Sequence, residues 1–328
     1  AVQIRATSRA PLLVRGEQVL PVNPLPLPPP GAEASLAAAQ ANPAVTLFLE
    51  RARAVQPSFA LTDGNAPTVA TICRRLDGLP LALELGAARI RILAPEAVLS
   101  QMDDRFHLLE DGPRDLPPRQ QTIRETIAWS YDLLPSATQP IFRQLAVFAG
   151  GFTLEGALAV GAGADVSRHD VMVALTTLVD QALVRRVEQG SVSRHTMLET
   201  IREFGLELLS RHEEGVAARA RHASWAWRLV SALDLYHANA GDESWFGLLE
   251  AEEDNLRQAL SWFAVHDHAL ALNDMSAALF KFWLAGSRFH EGRRWLEQAI
   301  ALDEELPLLI RSRARGGLGA CPRRACDV

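Results

Sequence analysis

Leu183-Val184-Arg185-Arg186-Val187 and Ser193-Arg194-His195-Thr196-Met197 stand on either side of Glu188-Gln189-Gly190-Ser191-Val192. Two short runs around a glycine-bearing connection spell a β-hairpin. Helical periodicity precedes it at 120–134, at 136–149 up to the Gly150-Gly151 turn, and at 170–180. Helices, then a hairpin, then a further helix is the order of a winged helix.

Upstream of this core the chain is helical back to about Leu36. Val45, Leu47, Phe48 and Leu49 fall in one segment, and Val69, Ile72, Cys73 and Leu76 recur at i, i+3, i+4, i+7 in the next, which Gly78 ends. Pro80 sits where a first-turn proline is tolerated, ahead of a stripe of Leu81, Leu85, Ala88 and Ile92. Pro95 opens another helix through Val98, Met102 and Phe106, and Gly112-Pro113 and Pro117-Pro118 break the pattern. Six prolines between 21 and 30 remove backbone donors and impose an extended, stiff connector. The alternation in residues 2–9 reads as a strand ending in a polar loop.

Downstream, from Arg219, the periodicity is that of amphipathic helices. Leu248, Leu249, Leu256, Ala259, Leu260 and Phe263 mark the apolar side, and Glu250, Glu252, Glu253 and Asp254 are assigned to a solvated face. Residues 288–303 fit the second half of a tetratricopeptide repeat, with Gly292 in place of the usual alanine. Such arrays need about three repeats to bury a continuous core, so the array is expected to continue beyond this chain. Residues 311–328 lose all periodicity and read as an irregular tail.

Composition bounds the function. With 328 residues, 48% hydrophobic and 22% charged, the chain has material for two or three ordinary cores. Its net charge is −6 although residues 311–328 hold five arginines and one aspartate, so the body is acidic and repels phosphate backbones. Cys73, Cys321 and Cys326 make no disulfide framework, and the C-x4-C pair without a nearby histidine is a poor zinc site. No membrane-length apolar run and no signal-peptide order occur, which points to a cytoplasmic protein that contacts no membrane.

Lys281 is the sole lysine, preceded by Phe280. A phosphate-binding loop requires G-x-x-x-x-G-K-[ST], its lysine reaching the β and γ phosphates. The chain contains no such loop and is therefore not expected to be an enzyme by itself.

Three segments in their order and spacing resemble a known family: Thr7-Ser8-Arg9-Ala10-Pro11-Leu12, Leu76-Asp77-Gly78-Leu79-Pro80-Leu81-Ala82-Leu83-Glu84-Leu85, and Arg114-Asp115-Leu116-Pro117-Pro118-Arg119-Gln120-Gln121-Thr122. Ala128–Leu134, Phe142–Thr153 and Met197–Phe204 add to the likeness. The family is that of the signal-transduction ATPases with numerous domains (STAND), NB-ARC-related, in the form of the large actinobacterial LuxR-type regulators. The resemblance covers roughly residues 1–310. It implies a mainly α fold: the edge of a P-loop ATPase core with the Pro-rich connector (1–30), a helical lid (31–116), a winged helix with a β-hairpin wing (117–212), TPR-like helices (213–310) and the tail (311–328).

The same resemblance implies that Arg9 senses the terminal phosphate and that Gly78-Leu79-Pro80 packs against adenine, with Pro80 in contact. An arginine is always charged and forks onto phosphate oxygens, and a proline ring offers apolar surface without a donor. Read without the family, Arg9 is a surface residue and Pro80 a helix-starting proline. ATP or ADP would then be the cofactor of the intact parent and not of this chain alone. The partners implied are an upstream nucleotide-binding domain, an effector or protein on the TPR-like surface, and DNA only through a domain outside this chain. One departure stands at Met197-Leu198-Glu199, where relatives carry Met-His-Asp with a histidine on ADP; Leu198 cannot make that contact, and His195 is out of register.

Two rival readings use the same residues. A DNA-reading winged helix would place Arg, Lys, Asn or Gln on its second helix, but Val171–Asp180 has none, and Arg185, Arg186 and Arg194 read as a solvated wing. An enzyme built on Glu199, Glu203 and His195 competes with a plain surface charge cluster beside Arg202. The reading that results is a regulatory fragment of an ATP-dependent transcriptional regulator, with a stand-alone helical interaction module or a truncated gene product as the alternative.

Overall fold

A computed structural model describes residues 6–8, 11–12, 14–20, 22–28, 36–104, 123–162, 166–189, 192–233, 235, 244–266 and 268–302. The strand expected over residues 2–9 apart from 6–8, Arg9 included, the Arg114–Thr122 segment, Phe106 and the 311–328 tail lie outside these residues. Among the described residues the protein is mainly helical with one small antiparallel hairpin. The chain divides into two compact units: Ala1–Gln139 with Thr176–Val184 and Met197–Glu207, and Pro140–Leu175 with Arg185–Thr196 and Leu208–Val328.

The first unit begins with α1 (Leu36–Gln40), α2 (Pro43–Val55), α3 (Ala66–Arg75), α4 (Pro80–Ala88) and α5 (Pro95–Ser100). Asn42 caps α2 by accepting from the amides of Ala44 and Val45 at 3.0 and 3.3 Å. Val45, Phe48, Val69, Ile72, Cys73 and Leu76 are fully buried, as the helical spacing of these positions predicts. Burial holds the Cys73 thiol up at about 12, so it is an inert core residue.

The stripe expected on α4 is only partly right. Ala82, Leu83, Leu85, Gly86 and Ala87 are buried, whereas Ile92 is 66% exposed. After Ala88 the chain tightens into a 3₁₀ turn at Arg89–Arg91, which turns Ile90 inward and Ile92 out. Residues of α6 (Ile123–Asp132) complete this unit with the ends of two later helices: Tyr131 meets Phe204 edge-on at 5.9 Å, and Arg124 pairs with Glu207 at 2.8 Å.

The remaining elements are α7 (Thr138–Leu145), α8 (Leu154–Gly161), α9 (Arg168–Asp180), β1 (Arg185–Gln189), β2 (Val192–Thr196) and α10 (Glu199–Arg211). They are followed by α11 (Gly215–Ala232), α12 (Ser244–Ala251), α13 (Glu253–Val265), α14 (Ala269–Ala285) and α15 (Phe289–Ala301). Helix α8 was not foreseen. Its small residues hide the apolar pattern: a side chain at Gly156 would meet Trp225 at 3.1 Å and Phe148 at 3.3 Å, so glycine lets α8 lie close to α11.

The hairpin exists with a shifted register. Gln189 pairs with Val192 and Arg185 with Thr196, so the connection is two residues rather than five. Leu183 and Val184 do not belong to the strand. Their amides bond back to the Leu178 carbonyl at 3.0 and 3.2 Å past Ala182, whose φ is 58°, so they close α9 and are buried under it.

In the second unit α14 and α15 pack as a helix pair. A Cβ at Gly292 would lie 2.7 Å from the Trp283 ring, so glycine lets the two helices approach there. Among the described residues no helix is long and apolar enough to cross a membrane.

Candidate functional site

Helix α3 ends and α4 begins through Leu76-Asp77-Gly78-Leu79, and both central residues are left-handed, with φ of 55° at Asp77 and 64° at Gly78. Gly78 needs to be glycine twice over. Its φ is one that most side chains adopt only at a cost, and a Cβ there would sit 2.3 Å from the Leu25 carbonyl of the proline-rich connector. The Gly78 carbonyl accepts from the Leu25 amide at 3.0 Å, so the connector is strapped across the turn.

Asp77 uses its left-handed placement to aim a carboxylate at the first turn of α10. Oδ2 accepts from the Thr200 amide at 3.1 Å and from Thr200 Oγ1 at 3.3 Å. A carboxylate at a helix N-terminus satisfies a donor that has no partner inside the helix and complements its dipole. The turn thus joins the Gly-Leu-Pro-Leu segment to Met197-Leu198-Glu199-Thr200 within the first unit. His195 belongs to the second unit, where it exchanges backbone hydrogen bonds of 2.8 Å with Phe152 and stacks on its ring. The Glu199 carboxylate grips Arg202 in two bonds of 2.9 and 2.6 Å, a surface ion pair.

These residues fit an adenine in one respect. The Gly78 amide bonds to the Cys73 carbonyl and the Leu79 amide to the Leu76 carbonyl, and Pro80 has no amide, so no backbone donor of the turn is left for a base edge. Pro80 is exposed and Leu79 half-buried. What the turn can offer a nucleotide is an apolar face, not a hydrogen-bonding edge.

Helix α9 starts earlier than its apolar pattern indicates. Ser167 and Asp170 cap each other reciprocally, with Asp170 Oδ2 accepting from the Ser167 amide at 2.9 Å and Ser167 Oγ accepting from the Asp170 amide at 3.2 Å. Its first turn therefore does carry Arg168 and His169, both exposed, alongside the capping Asp170, whose carboxyl the Ser167 bonds hold below its usual range. Beyond that turn the outward residues are Met172, Val173, Thr176 and Asp180, with Met172 and Val173 about half exposed.

The hairpin is not solvated as the sequence suggests. Arg186 is, pairing with Glu188 at 2.6 Å on the surface, but Arg194 is 3% exposed and ion-paired with Glu252, itself 2% exposed. This also overturns the assignment of Glu252 to a wet face: the turn between α12 and α13 points it inward while Glu250 and Asp254 stay out.

The pair sits in a continuous polar network. Arg194 Nη2 donates to the Ala251 carbonyl at 3.1 Å. Asn255 Nδ2 donates to Glu252 Oε2 at 2.6 Å and to the Gly151 carbonyl at 2.9 Å. Asn255 Oδ1 accepts from the Ala149 amide at 2.9 Å and faces His222 Nε2 at 3.2 Å. Because one side of the amide faces an N–H and the other two acceptors, its orientation is fixed, and His222 is the neutral Nε2–H tautomer donating to it. Burial between Phe148 and Trp225 pushes the His222 pKa down to about 4, the Asn255 bond opposing this.

The chain is 36% identical over 297 residues to a protein named "Putative HTH-type transcriptional regulator" in Mycobacterium tuberculosis, and equally so to its Mycobacterium bovis counterpart, covering 90% of this chain and 32% of each relative. It is also 40% identical over 182 residues to a Mycobacterium tuberculosis protein named "Uncharacterized protein", covering 55% of this chain and 46% of that one. The chain spans about a third of the length of the regulators it matches. No protein-family model matches it.

Of the residues singled out in the sequence, Gly78, Leu79 and Pro80 form one turn, and Arg9 lies outside the described residues. Reading by sequence missed Asp77, Thr200 and the Arg194–Glu252–Asn255–His222 chain. A left-handed Asp-Gly pair marked the first of these; the last joins residues up to 58 positions apart and left no local mark.

Proposed function

We propose that this chain is the switch-and-sensor portion of a transcriptional regulator of the STAND, NB-ARC-related LuxR type, and that it does not itself read DNA or complete a nucleotide site. The observation that carries the reading is the strapped turn: Asp77 and Gly78 bind the connector on one side and the start of α10 on the other, so a ligand on the Leu79–Pro80 face touches a junction of three segments. The similarity to proteins named as HTH-type transcriptional regulators over nearly the whole chain supports a regulatory role.

ATP or ADP, when bound by a domain carrying the phosphate loop, supplies the charge change that distinguishes two states. This chain's residues contribute the rest. Leu79 and Pro80 give the base an apolar surface, Gly78 lets the connector approach, and Asp77 holds α10 in register with the turn. Arg9 stands for phosphate sensing by resemblance. Helix α9 turns Met172 and Val173 outward, a face suited to protein contact, and only Arg168 and His169 in its first turn have side chains for a groove. The helical pairs α11–α15 offer the surface for an effector or protein partner, and the cytoplasm is the compartment this requires.

Fluorescence anisotropy on duplex DNA tests the assignment. The full-length mycobacterial relative is expected to bind with an affinity that differs between ATP and ADP, and this chain to bind no DNA at ordinary salt. Sequence-specific binding by this chain alone would make it a DNA reader and remove the switch assignment.

A further inference from the structure

The polar network under the wing makes one claim that the nucleotide reading does not contain and that stands whether or not that reading does. Five consecutive residues, Ala251–Asn255, where α12 passes into α13, face two ways. The Ala251 carbonyl, Glu252 and Asn255 bind β2 and the Ala149–Gly151 loop from inside. Glu253 faces α15: Arg257 links it at 2.5 Å, and the exposed Asp254 beside Gly150 at 3.2 Å, to Glu291 of α15 at 2.7 and 2.9 Å, and Arg288 adds a bond of 2.6 Å to Glu253. Arg257 thereby holds the Glu291 carboxyl below its usual range.

We propose that the Ala251–Asn255 junction is a clasp through which displacement of α13 against α15, by an occupant of the helical surface, is delivered to the wing hairpin through Arg194.

The physics of the inner pair makes the clasp discrete. Both charges of Arg194–Glu252 are nearly dry, and a dry pair has no intermediate: parting it strands two charges unless water enters. Asn255 holds Glu252 Oε2 and the Ala251 carbonyl holds Arg194 Nη2, so the groups release together rather than singly. The outer pairs are partly exposed and individually weak. An occupant that takes Arg257 or Arg288 away from Glu253 disturbs the residue next to Glu252 at little cost, and the stiff inner cluster passes the displacement on to β2. The hairpin and the helical layer lie in the same compact unit, as one moving body requires.

Amide hydrogen exchange of the full chain tests this, reading peptides over 185–196 and over 271–283. Arg257→Ala, a surface change, is expected to raise exchange in the hairpin by about fivefold or more and to leave α14 within about twofold, the range of coupling between residues of one network. In an Arg194→Lys background, where the two-pronged grip is lost but the charge is kept, hairpin exchange is already raised and Arg257→Ala adds nothing further. The proposal is overturned if Arg257→Ala leaves the hairpin unmoved, if it adds equally in both backgrounds, or if all peptides shift together. Should Arg194→Lys not fold, Arg257→Ala against Glu297→Ala decides alone: the exposed Glu297 accepts from Arg293 of its own helix at 2.8 Å, and an equal hairpin response to both changes overturns the clasp.

Discussion

Replacing His222 by Gln removes one titration and leaves a donor for Asn255, and the consequence for acid stability can be worked out. The native imidazole is neutral down to about pH 4 because it is buried between Phe148 and Trp225, while an unfolded histidine takes its proton near 6.5. A base whose folded pKa is depressed gives stability that is complete above the unfolded value. That stability is lost as pH falls from 6.5, and the loss levels off once the native form protonates near 4. A difference of this size amounts to about 3 kcal/mol across the window. Six of the seven tryptophans, Trp225 included, lie in the unit that contains His222, so urea unfolding followed by tryptophan emission reports on the right body. Between pH 7 and 4.5 the wild type is expected to lose about 2–3 kcal/mol more than His222→Gln. Parallel pH dependence in the two proteins would refute the buried neutral histidine.

Four other changes have outcomes fixed by the geometry. Gly78→Ala forces a side chain into a left-handed position and against the Leu25 carbonyl; it should cost about 2 kcal/mol or more and free the connector at 22–28 to limited proteolysis. Asp77→Ala removes the carboxylate from the start of α10 and should cost about 1 kcal/mol, with faster amide exchange at Thr200. Gly292→Ala gains helix propensity of about 1 kcal/mol but meets the Trp283 ring; a net loss of thermal stability is expected, and a gain would show that the ring moves aside freely. Asn255→Asp turns two donors into acceptors facing the Gly151 carbonyl and Glu252, and should destabilise by about 3 kcal/mol or more by urea titration.

What the sequence made legible depended on whether the cause was local. The i, i+3, i+4, i+7 run of Val69, Ile72, Cys73 and Leu76 predicted a buried face that is there, and Pro80, Pro95 and the Gly78 stop mark helix ends correctly. Local rules failed where tertiary packing took over. Leu183 and Val184 have strand chemistry but are consumed in closing α9, and Ile92 is on the apolar period yet rotated out by a 3₁₀ turn. Helix α8 escaped because glycines needed for close packing erase the amphipathic pattern. Glu252 opens a run of three charged residues, and only its position at a helix junction sends it inward to Arg194. Of the candidate nucleotide contacts the turn at Gly78-Leu79-Pro80 was legible from its residues, whereas the Asp77–Thr200 bond spans 123 positions and becomes visible only in three dimensions.

Calorimetric titration with ATP and with ADP tests the central claim most directly, run on this chain and on a chain extended upstream to include a phosphate-binding loop. The account predicts no heat of binding for this chain and binding of both nucleotides by the longer one, weakened by replacing Pro80. Tight ATP binding by this chain alone, or none by the extended chain, would contradict it.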